Sequence, residues 1–345
     1  MKFQPEIDWL IHCDATSETG LGHLARCLGY AEALTEIGQS VCFVGAYHDL
    51  AEAMIANAGI DMRNVALTEN DRLKAIFQES GSKPVKGVLL DRYTLSTKDL
   101  RYVKTYFPTE RIVLIDDFGD RPKYVCDTVI NFTINAETLT YDSRLKTFLG
   151  TVYYPARTWL RAARKQRYTE RKEKSQELKK WLIICGGTDH LHITVRLLNT
   201  LTICLPSADI KVMRALGVDE DEFQKAIGCF NQAEIIEPRP ELKDLFVWAD
   251  ACLCGGGLTK YECAFAGLPV ASFAQTSGQQ ADTVALVKQG IAADLGAAYS
   301  NPDILPIAAF NNFLNDQNNL SNAIERGQVT IGSDDISKTL EPFIS

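Results

Sequence analysis

"WLIHCDATSETGLGHLARCLGYAEALTEIG", residues 9–38, decides the fold. It opens on an apolar run that stops at Asp14 and passes through a polar turn carrying Gly20 and Gly22. It continues as a segment in which Leu24, Leu28, Ala31 and Leu34 recur three and four residues apart before Gly38. The first part reads as a strand buried on both faces, the last as an amphipathic helix with a glycine stop. The pattern repeats outward as "SVCFVG" (40–45), "VKGVLLD" (85–91) and "RIVLIDD" (111–117). Later come "KWLIIC" (180–185), "ADIKVMRAL" (208–216), "AEIIE" (233–237), "DACLC" (250–254) and "LPVASFA" (268–274). Short apolar runs alternating with helical patterns predict parallel sheets in a doubly wound α/β fold.

The length of 345 residues suits two domains at a prior of ~150 residues each. Between them, residues 161–180 hold nine basic and three acidic residues, the composition of a solvated connection with helical content. The expected division is therefore an N-terminal domain 1–160, a charged linker 161–180 and a C-terminal domain 181–345. The last helix has the option of crossing back to the first domain. Two such sheets are expected to face each other across a cleft.

A net charge of −8 argues against a broad nucleic-acid surface. No apolar run reaches the ~20 residues of a membrane span, and the first ten residues lack a signal-peptide pattern. The ten cysteines include no CxxC pair and mostly sit in apolar runs. Buried free thiols fit a reducing, cytoplasmic setting.

Ligands of open α/β sheets bind outside the carboxyl ends of the strands, where four stretches stand out. In the first, Asp14 ends a strand, Gly20 and Gly22 admit close backbone approach, and His23 begins a helix. The positive end of a helix attracts anions and disfavours a cationic imidazole, which keeps a histidine there in its basic form. On that spacing alone, a plain strand–helix turn with a surface histidine is the favoured reading, because a GxG is a weak signal. In the second, Asp91 and Tyr93 leave one strand on one side. In the third, Asp116 and Asp117 end another. Carboxylates in such places also serve simply to bind loop N–H groups or cap the next helix.

The fourth stretch, "DACLCGGGLTKYECAFAGLPVASF" (250–273), runs from a strand through Gly255, Gly256 and Gly257 into a helix, a phosphate-cradling arrangement. Glu262 there is placed either to hold a ribose diol or to close a capping box with Thr259. "CGGTD" (185–189) supplies a second glycine turn. Asp189, His190 and His192 lack the further ligands of a metal site.

Taken in order from residue 9 to about 282, these motifs resemble one family. "CDATSETGLGHLARCLGYAEAL", Asp91-Arg92-Tyr93, "LIDD" (114–117), "INFTIN" (130–135), "FLGTVYYPAR" (148–157), "CGGTD" and "GGLTKYECAFAGLP" (256–269) are similar to the nucleotide-sugar hydrolase of pseudaminic acid biosynthesis. They are similar too to its spore-coat polysaccharide relatives, within the GT-B glycosyltransferase superfamily. The resemblance implies a GT-B-like α/β fold with two Rossmann-like domains. It implies that water attacks the anomeric carbon of a UDP-linked acetamido-deoxy sugar, releasing free sugar and UDP without metal or organic cofactor.

By position, His23 activates or places the water, with Asp14 and Tyr93 beside it in the catalytic set and Tyr93 contacting sugar or diphosphate. Gly20, Gly22, Gly186, Gly187, Thr188, Gly256, Gly257, Leu258 and Thr259 form the glycine-rich binding turns, Glu262 holds the ribose, and Gln279 and Gln280 complete the substrate-binding set. Two positions depart from the family: His12 stands where it carries arginine, and Gln279-Gln280 stands where it carries Asn-Gln. The Gln-Gln pair is more similar to the lipid-linked N-acetylglucosaminyltransferase of peptidoglycan synthesis. An inverting glycosyltransferase is therefore the alternative, and a non-catalytic nucleotide-sugar sensor a third reading. "AYHDLAEAMIANAGI" (46–60) reads as an ordinary amphipathic helix rather than a lipid-acceptor surface.

Overall fold

A computed structural model describes residues 7–65, 84–107, 109–171, 178–187, 189, 191–205, 207–215, 218–300, 310, 312–313 and 317–345. The chain forms two compact units. Residues up to Thr158 together with Gly332–Ser345 make the first, and Trp159–Ile331 make the second.

The first unit is built on seven parallel strands: β1 (Trp9–His12), β2 (Val41–Gly45), β3 (Asp61–Asn64), β4 (Val85–Leu90), β5 (Thr109–Ile115), β6 (Thr128–Asn131) and β7 (Lys146–Leu149). Their order is β3-β2-β1-β4-β5-β6-β7. Every residue of β1 and β2 is buried, as expected of central parallel strands covered on both faces. On one face, Leu10, Val88, Leu90 and Leu114 pack with Leu100 and Val103 of α3 (Thr97–Tyr106). On the other, Trp9 and Tyr30 meet Phe343 with ring centroids 5.0 and 5.4 Å apart. Phe343 belongs to the last helix, α11 (Ser337–Ile344), and Tyr30 to α1 (Gly22–Glu36). Helix α1 ends where the glycine stop was read: Gly38 has φ +80°, and the Gln39 N–H returns to the Leu34 carbonyl. Helix α2 (Asp49–Asn57) fills the 46–60 pattern, capped by the His48 side chain.

The second unit has six parallel strands: β8 (Lys180–Ile184), β9 (Asp209–Met213), β10 (Gln232–Ile236), β11 (Ala251–Gly255), β12 (Val270–Ala274) and β13 (Ala293–Ala297). Their order is β10-β9-β8-β11-β12-β13. Its helices are α4 (Thr158–Arg171), α5 (Ile193–Cys204), α6 (Glu220–Ile227), α7 (Lys243–Trp248), α8 (Thr259–Ala266), α9 (Ser277–Lys288) and α10 (Gln317–Thr330). Trp181, Ile183, Leu198, Val212, Phe223, Leu253 and Phe273 make the core. Both sheets reverse strand order once among the described strands, between β1 and β4 and between β8 and β11.

The charged stretch 161–180 differs from a solvated connection over its first part, which is α4. Arg167 donates to the carbonyls of Phe246, Ala249 and Gly267, and Arg164 to those of Phe265 and Gln328. These carbonyls lie mainly at the C-terminal ends of α7 and α8, where orphan carbonyls and the helix dipole favour a guanidinium. Strands β3, β6, β7 and β13 lie outside the apolar runs read as strands, being short, polar or at a sheet edge.

Candidate active site

The strand-order reversal of the first unit puts the loops after β1 and β4 side by side, where open sheets bind ligands. His23 is the second residue of α1. Its Nδ1 lies 2.8 Å from Asp91 Oδ1, at the end of β4. Asp91 is buried and receives two more bonds from Arg26, Nε to Oδ2 and NH2 to Oδ1, both 2.6 Å. Cys27 Sγ donates to Oδ2 at 3.4 Å. Burial opposes ionisation of Asp91, but the Arg26 charge and the hydrogen bonds from Arg26 and His23 outweigh it and hold the carboxyl well below the usual range.

An ionised carboxylate only accepts, so the His23 proton sits on Nδ1 and the Nε2 lone pair is the ring's basic position. The 3.1 Å approach of Arg26 NH2 to the same Nδ1 brings two donors together only because both converge on Asp91 Oδ1. A histidine oriented by a buried aspartate is an arrangement suited to general-base catalysis.

Arg26 also carries the link onward. Its NH1 donates to both oxygens of Asp117, at 2.8 and 2.9 Å, and Tyr93 OH donates to Asp117 Oδ2. The Tyr93 ring meets the His23 ring edge to face with centroids 4.6 Å apart. Burial, followed by the adjacent Asp117 charge, pushes the Tyr93 hydroxyl up, so it remains a donor. His23, Arg26, Asp91, Asp117 and Tyr93 therefore form one connected network from α1 and the ends of β4 and β5.

Of the residues expected to be catalytic, His23 and Tyr93 meet in this network, while Asp14 is employed differently. It is buried, with Oδ1 accepting from the Ala46 N–H at 3.0 Å and Oδ2 paired with Arg92 at 3.2 Å. It ties the loop after β1 to the loops after β2 and β4, and Asp91 is the carboxylate that orients His23. Asp116 does what strand-end carboxylates commonly do, accepting from the Gly119 N–H and from Tyr124 and Tyr141. Asp117 does not. The sequence marked Asp91 and Asp117 as strand-end candidates but gave them no catalytic role, and gave Arg26 none. The available signal was Arg26 at i+3 from His23, on one helix face. His12 is buried and donates from Nδ1 to the Val44 carbonyl at 2.9 Å. Gly20 has φ +69°, and both Gly20 and Gly22 have open space where a Cβ would stand.

In the second unit the turns after β8 and β11 are neighbours. A Cβ on Gly255 would lie 2.9 Å from the Cys185 carbonyl oxygen, and one on Gly256 would lie 2.9 Å from the Gln279 Cβ. Packing within the chain thus requires those two glycines, while Gly257 is exposed with nothing within 4 Å. Lys260 is buried, with Nζ donating to the Gly256 carbonyl and paired with Asp282 at 2.7 Å. With the Gly256 carbonyl turned toward Lys260, the trans peptide turns the Gly257 N–H the opposite way.

The capping box read at 259–262 is absent: Thr259 is the first helical residue, and the cap, Leu258, makes no side-chain bond. Glu262 is half-buried in the first turn. Gln279 Oε1 accepts from the Gln275 N–H at 2.8 Å, and Gln280 Nε2 donates to Asp294 at 2.8 Å. Gly186 adopts φ +118°, and Gly187 follows it at the exit of β8. Thr188 and His190 lie outside the described residues. Asp189 accepts from the N–H groups of Ile193 and Thr194 and so caps α5, with His192 as its αL entry residue. Among the described residues, no group of three or more His, Cys, Asp or Glu is arranged to hold a metal, and no helix is long and apolar enough to cross a membrane.

No family model matches the chain. It is 24% identical over 299 residues to the spore coat polysaccharide biosynthesis protein SpsG of Bacillus subtilis (strain 168), covering 85% of each chain. Among solved structures it is similar to Acinetobacter baumannii MurG, with a TM-score of 0.63 and 14% identity, covering 97% of this chain and 98% of that one. It is also similar to the S. aureus MnaA-UDP co-structure, with a TM-score of 0.64 and 14% identity, covering 97% and 94%, and to the spinosyn forosaminyltransferase SpnP, with a TM-score of 0.64 and 13% identity, covering 98% and 99%. The fold is of the GT-B type, two parallel-sheet α/β units.

Proposed function

We propose that this chain is a nucleotide-sugar-dependent enzyme that transfers a glycosyl group with inversion at the anomeric carbon. His23 Nε2 takes the proton of an acceptor hydroxyl. The acceptor oxygen bonds to the anomeric carbon as the bond from that carbon to the diphosphate oxygen breaks, and the nucleoside diphosphate leaves with the electron pair. The observation that carries this reading is the His23–Asp91 pair at the strand-order reversal, which leaves Nε2 as the base. Backbone N–H groups of the glycine turns after β8 and β11, with the dipole of α8, suit the charge developing on the leaving diphosphate. UDP is the proposed nucleotide, with Glu262 at its ribose. The S. aureus co-structure contains UDP, and SpnP is named a transferase. The name of the Bacillus relative supports a place in polysaccharide biosynthesis, and ten free thiols suit the cytoplasm.

Water as the acceptor is the second reading, and the ordered motif series from residue 9 to about 282 favours it. The same base and leaving group then yield free sugar of inverted configuration, as for a hydrolase of the pseudaminic acid type. NMR of UDP-, GDP- and CMP-linked sugars, with and without methyl N-acetylglucosaminide as acceptor, tests both. Nucleotide release that requires the glycoside supports transfer, and release without it supports hydrolysis. His23→Ala is expected to remove release while UDP binding survives. Normal turnover of that variant refutes both readings.

A further inference from the structure

The geometry points to an exposed aromatic ledge, Tyr93 with Phe118, as the surface on which the C–H face of a pyranose ring stacks beside His23, with Phe118 as its specificity-determining residue. This rests on the glycosyl-transfer reading and adds a residue to it. Tyr93 and Phe118 are 52% and 50% exposed, although apolar rings are usually withdrawn from water when the fold permits. Their centroids lie 5.6 Å apart with planes inclined by 35°, giving a continuous surface.

The ledge is fixed from beneath. The Tyr93 hydroxyl is held by Asp117, whose two oxygens are held in turn by Arg26 NH1. Phe118 sits in the chain between Asp117 and Gly119, whose N–H is bound by Asp116 at 2.7 Å. Rigid aromatic faces of this kind bind ligands through area and edge contacts at little ordering cost.

The position selects the ligand chemistry. An oxygen activated by His23 must lie within hydrogen-bond reach of its ring, and the anomeric carbon about 3–3.5 Å beyond. A pyranose joined through either atom reaches a ring whose centroid is 4.6 Å from that of His23. The shared chemistry is therefore a pyranose C–H face, carried by the donor's sugar or by a sugar acceptor.

Saturation-transfer NMR on the full chain tests this with UDP-, dTDP-, GDP- and CMP-linked sugars and with methyl N-acetylglucosaminide plus UDP. Phe118→Ala is expected to cut saturation of pyranose C–H protons by roughly three- to tenfold, leaving nucleobase protons within about twofold. Phe118→Trp is expected to restore it. Loss on the nucleotide sugar assigns the ledge to the donor, and loss on the free glycoside assigns it to the acceptor. Phe118→Leu repeats the measurement if the alanine variant melts early. Pyranose saturation unchanged in both variants, or absent in the wild type while the nucleobase is saturated, overturns the ledge alone. No nucleobase saturation from any of the four donors overturns the nucleotide-sugar reading and the ledge with it.

Discussion

Asp91→Asn is the sharpest perturbation of the candidate active-site network because it is nearly isosteric and reverses the hydrogen-bond polarity. Asp91 Oδ1 accepts from His23 Nδ1 and Arg26 NH2, and Oδ2 from Arg26 Nε and Cys27 Sγ. Asparagine has one acceptor oxygen and one NH2 group, so either orientation sets a donor against donors. With the NH2 group toward His23, the ring accepts at Nδ1, its proton moves to Nε2 and the base is blocked. Loss of an oriented general base costs about 10²–10⁴ in rate, and an orienting aspartate in a catalytic triad costs about 10⁴.

Stability falls as well. Breaking a buried ion pair costs about 3–5 kcal/mol, and the lower end applies because Asp117 still accepts from Arg26 through both oxygens. The native carboxyl is held low, so its contribution is present above about pH 4, the unfolded value, and is lost as pH falls below it. Initial rates of nucleotide release, with UDP affinity measured in parallel, read the first effect. Urea unfolding at neutral pH and below pH 4 reads the second. A folded Asp91→Asn enzyme turning over within threefold of wild type would refute the assignment of His23 and Asp91 as a base with its orienting group. His23→Gln, which leaves the Asp91–Arg26 pair intact, is expected to lose rate while keeping most of the stability.

Other outcomes follow from the same geometry. Gly29 lies inside α1, where Gly→Ala ordinarily stabilises by ~1 kcal/mol. Here the added Cβ would stand 1.9 Å from the Pro155 carbonyl oxygen, so Gly29→Ala is expected to lower stability by about 2 kcal/mol or more, and a raised melting temperature would contradict it. Lys260→Met leaves Asp282 and the Gly256 carbonyl without their buried partner, at a cost of about 3 kcal/mol. It should also weaken UDP binding by isothermal titration, because the 255–258 turn loses its anchor. Unchanged affinity in a folded variant would remove that role. Burial pushes the Cys42 thiol up to about 11, against ~8.5 when unfolded. Below about pH 8 both states keep the proton. At higher pH the unfolded chain releases it first, so stability falls by up to about 1.4 kcal/mol per pH unit. Urea midpoints between about pH 7 and pH 10.5 should fall less steeply for Cys42→Ala than for wild type, and parallel curves would exclude the effect.

Much of the fold was legible because central parallel strands must be apolar along their whole length. Runs such as "WLIHCD" and "SVCFVG" announce themselves, and the spacing from Leu24 to Leu34 announces α1. The strand β3, "DMRN", carries no such mark, because its side chains are largely exposed. The basic residues of α4 were misleading for a different reason. A guanidinium that satisfies helix-end carbonyls has the same composition signature as one in water, and only the positions of Phe246, Ala249 and Gly267 tell the two apart.

The candidate site divides in the same way. The sequence alone places His23 at the head of a helix after a strand, and puts glycines in the turns after β1, β8 and β11, because strand, turn and helix are local and written in adjacent residues. It does not say which carboxylate faces His23. Asp14 is nearer in the chain, but its oxygens are turned to Ala46 and Arg92. Asp91, 68 residues away, is brought to the histidine by the pairing of β1 with β4. That pairing is a property of strand order, which tertiary packing decides. The same packing gives Arg26 two carboxylates to bridge and leaves Tyr93 and Phe118 standing half in water beside His23.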